Sequence, residues 1–387
     1  MLTRKNWNSL YPALRKPLWL WSFGLSLMAI GCSAQGQTPH STASQMPTTP
    51  APLPSSVPTA ADRAIPHYDH VFIIVAENKR FDQVINSPSA PNLSRFAKTY
   101  GLATHFYGEV HPSEANYVAM LAGSTFGIHD DDAYYCQAGS ADGFCPHAAS
   151  PGYASHTIAS RSLLDQLQEK GLTWKGYFES LPSAGSKVVV APSPDRALYA
   201  SKHNGFLNFK SVQDDPNLSH KIVDLQQLGT DLQTGQAPNY SHIVFNQCHE
   251  MHGLSECPNT QALIQTGDTM MAQAVEQIIS SSLWSSPNNN AIVITWDEDD
   301  NPMNKTAPQG CCGFDPASAA NFGGGQIPTI VITNHGSQGI IDPTPYNHYS
   351  LLRTLEDAFG IYEYLNQANA TDQGVKPMSA LFALPSK

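Results

Sequence analysis

The sequence predicts an α/β domain on a mainly parallel central sheet with helices on both faces, and three observations carry that prediction. Short apolar runs rich in Val and Ile alternate with helix candidates along most of the chain, and runs of that kind read as parallel strands buried on both faces. Several of the runs stop abruptly in polar residues, where ligands of open α/β sheets sit. The composition, 387 residues with 41% hydrophobic and 14% charged, is ample for one sizeable core and unlike that of a disordered chain.

The N-terminus is set apart from that domain. Arg4, Lys5, Arg15 and Lys16 precede an apolar stretch from Leu18 to Ile30, too short and too N-terminal for an ordinary membrane span, so residues 1–32 read as an export signal. The stretch ends in Met28-Ala29-Ile30-Gly31-Cys32, which resembles the bacterial lipobox. Cys32 is the expected lipidation site, with simple cleavage for secretion as the alternative, and a single acyl chain makes only a reversible anchor. Residues 33–66 are Ser, Thr, Pro, Ala and Gln with almost no large apolar side chain and read as a flexible tether. Residues 67–387 are then a single domain, exported to the cell envelope as a periplasmic or surface lipoprotein, or secreted.

Within the domain the spacing predicts strands at 70–76, 172–178, 242–246, 291–296 and 328–333, and helices at 91–100, 114–122, 160–170, 260–282 and 348–358. Their alternation implies β-α-β units. The segments 130–157, 180–220 and 301–325 are long and irregular, as loops at a site entrance are. The export signal holds four of the basic residues and no acidic one, so its removal takes the formal charge from −11 to −15. Nucleic acid is thereby excluded as a partner, because phosphate-backbone binding needs a basic surface. Nothing in the chain speaks to oligomeric state.

Six cysteines remain after Cys32, an even number in an exported protein, which favours disulfides. Cys136 with Cys145 and Cys248 with Cys257 would each close a short loop. Cys311 and Cys312 are adjacent and could bridge each other or pair elsewhere. The CxxC spacing of structural zinc is absent, which argues against a zinc site built from them.

Chemistry-bearing residues crowd at the ends of the predicted strands. HVFIIVA ends at Glu77 and Asn78; SHIVFNQ runs into Cys248, His249, Glu250, Met251 and His252; NAIVITW runs into Asp297 and Glu298; IPTIVIT runs into Asn334 and His335. Taken singly, either acidic cluster reads as solvated loop. Together they point to one rim carrying oxygen ligands, which suits a hard divalent cation that would relieve the repulsion between carboxylates. Ser113 follows Pro112 and precedes a predicted helix, where its hydroxyl is either an ordinary N-cap or a group presented to an anion at the helix N-terminus.

The ordered set VAENKRFDQVI, HPSEANYVAMLAGSTFG, FNQCHEMHG, TWDEDD and NHYSLLRTLEDAFGI resembles the bacterial and fungal phosphoesterase family of acid phosphatases and phosphatidylcholine-type phospholipases C, within the alkaline phosphatase superfamily. The resemblance covers roughly residues 68–362 and implies an alkaline-phosphatase-like fold. It implies that Glu77 and Asn78 are the first metal-ligand pair, Ser113 the nucleophile, and Asp297 with Glu298 the acidic pair completing the metal site. It further implies that Asn116 bonds a phosphoryl oxygen and that His111, His252 and His348 line the pocket. Each histidine reads equally well as a structural hydrogen-bonding residue. Glu250 stands where relatives commonly carry Asp before Met-His, and with His249 it is a candidate to lie behind the ligands.

The resemblance therefore implies a metal-dependent phosphoric ester hydrolase working through a Ser113 phosphoserine, with a phosphate ester as substrate and a divalent ion of open identity. The chain stops soon after the last motif, without the extra C-terminal domains of larger family phospholipases C, which favours a compact phosphatase-like member. A phospholipase C type diesterase is the alternative. Sulfate-ester hydrolysis is disfavoured because HPSEANY lacks the CxPxR or SxPxR context of sulfatases. The rival from another class is a surface binding lipoprotein that has lost catalysis, and the joint presence of Ser113, Asn116 and all four proposed ligands argues against it.

Overall fold

The computed structural model describes residues 65–300, 310–318 and 323–384; the export signal with Cys32, the tether up to residue 64 and part of the 301–325 loop lie outside the described residues, while Ile65 at the tether's end is buried in the core. Among the described residues ten strands follow in chain order: β1 His70–Ala76, β2 Gly101–Tyr107, β3 Trp174–Phe178, β4 Val190–Ser193, β5 Arg196–Ala200, β6 Ile222–Asp224, β7 Tyr240–Val244, β8 Asn290–Trp296, β9 Gln326–Thr333 and β10 Ile340–Asn347. Eight form one sheet in the order β10-β2-β9-β8-β1-β7-β3-β6, while β4 and β5 make a separate antiparallel hairpin.

The two strands at the heart of the sheet are the most apolar. All seven residues of β8 are buried, as are six of seven in β1, and burial of both alternating sets requires cover on both faces. That cover is helical. The helix Pro91–Thr99 packs against Thr260–Ile279, and Glu114–Ala122 packs against His348–Ala358 and Leu163–Glu169. All five helices stand where the sequence predicts them, with ends shifted by a few residues; the long one stops at Ile279 rather than 282.

Direction along the sheet decides what meets at its rim. β1 lies parallel to β8 with Ala76 opposite Trp296, and parallel to β7 with Val75 opposite Val244. The residues after all three strands therefore leave at the same edge. β9 is the exception, running antiparallel to both β8 and β2. Its last residue, Thr333, pairs with Ala291 at the start of β8, so Asn334 and His335 emerge at the opposite edge. The expectation that they join the other strand-end residues is thus corrected: Asn334 Oδ1 accepts the backbone N–H of Asn290 at 2.8 Å and serves the far end of the sheet.

Disulfides join Cys136 to Cys145, Cys248 to Cys257, and the neighbours Cys311 and Cys312. Among the described residues no helix is long and apolar enough to cross a membrane.

Candidate active site

The register of β1 on β8 sets Glu77 beside Asp297, and the backbone locks the pair in place. Asp297 N–H donates to Ala76 O at 3.1 Å and Glu77 N–H to Glu250 O at 2.8 Å. Asn78 adopts a left-handed backbone (φ 46°), a region that Asn tolerates better than most residues. The turn aims its backbone N–H at Asp297 Oδ1 (3.1 Å) and its Nδ2 at Glu298 Oε1 (3.0 Å). With both donors spent on carboxylates, the Asn78 side-chain carbonyl Oδ1 is shut off from solvent and has no donor.

Ser113 arrives from the loop after β2 and immediately precedes the helix Glu114–Ala122. It makes no side-chain cap bond and already has helical φ and ψ, so the N-cap reading of its hydroxyl does not hold. Instead Ser113 Oγ donates to Glu77 Oε2 at 3.0 Å and lies 3.5 Å from Glu298 Oε1. A hydroxyl has one proton to give. Asp297 Oδ2 is left buried without a donor of its own.

Four carboxylates thus share one nearly dry pocket: Glu77, Glu250, Asp297 and Glu298 are all at most 3% exposed. Burial, reinforced by mutual repulsion, raises Glu77 and Glu250 well above the ordinary carboxylate range. Burial also lifts Asp297 to about 6 and Glu298 to about 8. Such a cluster is stable as anions only beside compensating positive charge. The buried, donorless oxygens of Asn78 and Asp297 beside those of Glu77, Glu298 and Ser113 form an all-oxygen set, which suits a hard divalent cation.

Around this core the predicted histidines part company. His111 Nδ1 is 2.8 Å from Glu298 Oε2 and its Nε2 3.4 Å from Asp299 Oδ1; burial opposes its charge, but the two carboxylates prevail and raise its pKa to about 10. His252 lines the cavity, with Nδ1 3.0 Å from Gly253 O; burial and the neighbouring Lys202 ammonium push it down to about 4. His348 is fully buried behind Asp297, its Nε2 2.8 Å from the Asp297 carbonyl and its N–H on Glu109 Oε1. It braces the acidic pair from behind. His249 turns away, its Nδ1 2.9 Å from both Glu179 oxygens, whereas Glu250 joins the carboxylate cluster directly. Asn116 Oδ1 accepts the N–H groups of Glu109 and Val110, while Nδ2 donates to Val110 O at 2.9 Å and reaches Glu298 Oε2 at 3.5 Å.

Three further participants were not singled out from the sequence. His203 bridges the cluster, with Nδ1 2.8 Å from Glu250 Oε1 and Nε2 3.4 Å from Glu77 Oε2. Tyr117 donates its hydroxyl to Glu77 Oε1 at 2.5 Å and stacks on His203. Lys202 donates to Asp131 Oδ2 at 2.9 Å. Tyr117 lies within HPSEANY and could have been suspected from its place one helical turn beyond Ser113. His203 and Lys202 come from SKHN, a stretch with no periodicity to mark it. The site opens into a cavity of about 330 Å³ whose lining includes Asn78, Lys79, His111, His252, Glu298 and Asp299.

Comparison with known proteins gives the family. The model of the Phosphoesterase family matches residues 85–362. The phosphatidylinositol-3-phosphatase of Mycobacterium tuberculosis is 29% identical over 303 residues, 78% of this chain and 80% of that protein. The phosphate-repressible acid phosphatase of Penicillium chrysogenum is 27% identical over 298 residues, 76% of this chain but 60% of the longer fungal protein. Among solved structures the chain is similar to a protein in the alkaline phosphatase superfamily from Vibrio parahaemolyticus (TM-score 0.49, 13% identity, 84% of this chain and 72% of that one). With the match spanning most of the chain, this protein belongs to the Phosphoesterase family and is a phosphoric ester hydrolase.

Proposed function

We propose that the chain is a metal-dependent phosphatase that hydrolyses phosphate esters through a Ser113 phosphoserine, and that it works outside the cytoplasm, held to a membrane only by lipid on Cys32. The observation that carries the reading is the Ser113 hydroxyl, 3.0 Å from Glu77 Oε2 and 3.5 Å from Glu298 Oε1, beside the donorless oxygens of Asn78 and Asp297. Glu77, Asn78, Asp297, Glu298 and Ser113 would hold one divalent cation. Such a cation supplies positive charge that lowers the pKa of the serine hydroxyl and neutralises phosphoryl oxygens.

The remaining work falls to the chain's own residues. Glu77 Oε2 accepts the Ser113 proton and orients the oxygen for in-line attack on phosphorus. The new O–P bond forms as the bond to the leaving oxygen breaks. His111, kept cationic between Glu298 and Asp299, lines the cavity and donates to phosphoryl or leaving-group oxygens. The water that later hydrolyses the phosphoserine returns a proton to His111, and His252, kept neutral by burial, lines the cavity it enters. Burial of the cluster strengthens each of these electrostatic contacts.

Monoester hydrolysis is favoured over the phospholipase C type of diester hydrolysis because the curated relatives that the chain matches over most of its length include phosphatases. The completeness of the site argues against an inactive binding lipoprotein. Turnover of an aryl phosphate that is abolished by a chelator and restored by one added divalent ion tests the reading, and chelator-insensitive turnover would refute it. Screening ions in that restoration step identifies the metal.

A further inference from the structure

Lys202 and His203 come from the short turn Ser201–His203 that directly follows the β4–β5 hairpin, outside the central sheet. The Lys202 stem is largely buried, its side chain 22% exposed. Its Nζ donates to Asp131 Oδ2 at 2.9 Å and lies 3.5 Å from Nε2 of His252, a residue that lines the cavity. The other oxygen of Asp131 accepts the backbone N–H of Glu114 at 3.2 Å, the residue after Ser113. Two hydrogen bonds therefore tie the ammonium to the N-terminus of the nucleophile's helix.

One carboxylate and two imidazoles, Glu77, His203 and His252, present ligand atoms within 4.8 Å of one another, a grouping that would suit a second cation. The ammonium already stands 3.5 Å from His252 Nε2, and two positive charges so close in a buried site repel strongly. The positive charge on this side of the pocket is therefore the lysine's own. An ammonium carries three protons; Asp131 takes one and His252 faces another, leaving one for an incoming oxygen.

We propose that Lys202 binds a phosphoryl oxygen and makes the site select phosphate monoesters over diesters. The inference rests on Ser113 being the nucleophile. A monoester near neutral pH offers a dianionic phosphoryl group, and its additional anionic oxygen is the one the ammonium can grip. A diester has an alkyl or aryl ester group in that place, which gains nothing from the ammonium and strips water from it. Asp131 holds Lys202 at a fixed reach from the reacting serine.

The test compares wild type with Lys202→Met, Lys202→Arg and Asp131→Asn, using p-nitrophenyl phosphate as monoester, bis-p-nitrophenyl phosphate as diester, inorganic phosphate as competitor, and bound metal by elemental analysis. Loss of one charge-assisted contact should raise the monoester KM and the phosphate inhibition constant by about 10-fold or more in Lys202→Met, with diester kcat/KM changed far less and metal content intact. Lys202→Arg should restore part of the monoester preference, and Asp131→Asn, which keeps the ammonium, should retain most of it. Equal losses on both esters, or an unchanged phosphate inhibition constant, would overturn the proposal. Should Lys202→Met not fold, wild type alone decides: inorganic phosphate must compete at least about 10-fold better than dimethyl phosphate, and equal competition refutes the claim. Ser113-dependent turnover without these differences sinks this inference alone, whereas turnover indifferent to Ser113 sinks the reading beneath it.

Discussion

Replacing Tyr117 by Phe removes one hydrogen bond that orients Glu77 from behind. The Tyr117 hydroxyl donates to Glu77 Oε1 at 2.5 Å while Ser113 donates to Oε2 at 3.0 Å, so each oxygen of this fully buried carboxylate has one hydroxyl donor. Phe keeps the ring that stacks on His203 at 5.6 Å and removes only the donor. A hydrogen bond to a charged group contributes roughly 1.5–3 kcal/mol. At about 1.36 kcal/mol per ten-fold, that loss weakens cation binding by roughly 10- to 150-fold. Competition against a chelator of known affinity measures it directly, and aryl phosphate turnover at saturating metal measures what remains. The variant should bind the ion more weakly yet recover most of its rate when the ion is in excess. Unchanged affinity would refute the reasoning, and a rate loss that excess metal cannot rescue would place Tyr117 on the reacting atoms rather than behind a ligand.

Two further outcomes follow from parts of the structure outside the cation site. His242 lies on β7 among Phe178, Phe206 and Tyr240, where burial pushes its pKa from 6.5 down to about 3. The folded state keeps it neutral while the unfolded chain takes up a proton, so its contribution is complete above pH 6.5 and is lost as pH falls toward 3. The loss is about 2 kcal/mol by about pH 5, and His242→Phe should flatten the fall in denaturation midpoint between neutral pH and that point; an equally steep fall would count against it. The Cys248–Cys257 bridge closes a loop of sequence separation 9 that carries Glu250 and His252, and a loop of that length contributes about 2.5 kcal/mol. Cys248→Ser with Cys257→Ser should lower the melting temperature and cost activity, whereas full activity at a lowered melting temperature would show that the site does not depend on the bridge.

The sequence was most legible where burial is complete. β1 and β8 are near-continuous apolar runs, so their ends, and with them Glu77, Asn78, Asp297 and Glu298, could be set at one rim from the sequence, and the shorter run ending β7 pointed to Glu250. Edge strands were not legible. β10 carries Pro343 and Pro345 and an exposed Ile341; prolines tolerated on an edge strand erase the alternation that marks a strand. Strand direction is likewise absent from an apolar run, which is why Asn334 and His335 were expected at the wrong edge of β9. Lys202 and His203 were missed because a hairpin outside the sheet delivers them, and local pattern holds no trace of a contact reached across 126 residues from Glu77 (203 minus 77). His348 shows the converse, a motif histidine whose place is behind the acidic pair.

The central claim is that the Ser113 oxygen becomes covalently phosphorylated during turnover. Mixing metal-loaded enzyme with an aryl phosphate, quenching in acid within the first turnovers and mapping the digest by mass spectrometry tests this most directly. The account predicts one added phosphoryl group on the peptide containing Ser113 in the wild-type protein. It also predicts that Ser113→Ala lacks both the label and the turnover while retaining its metal. An unlabelled Ser113 peptide in an enzyme turning over substrate, or a Ser113→Ala variant with undiminished activity, would contradict it.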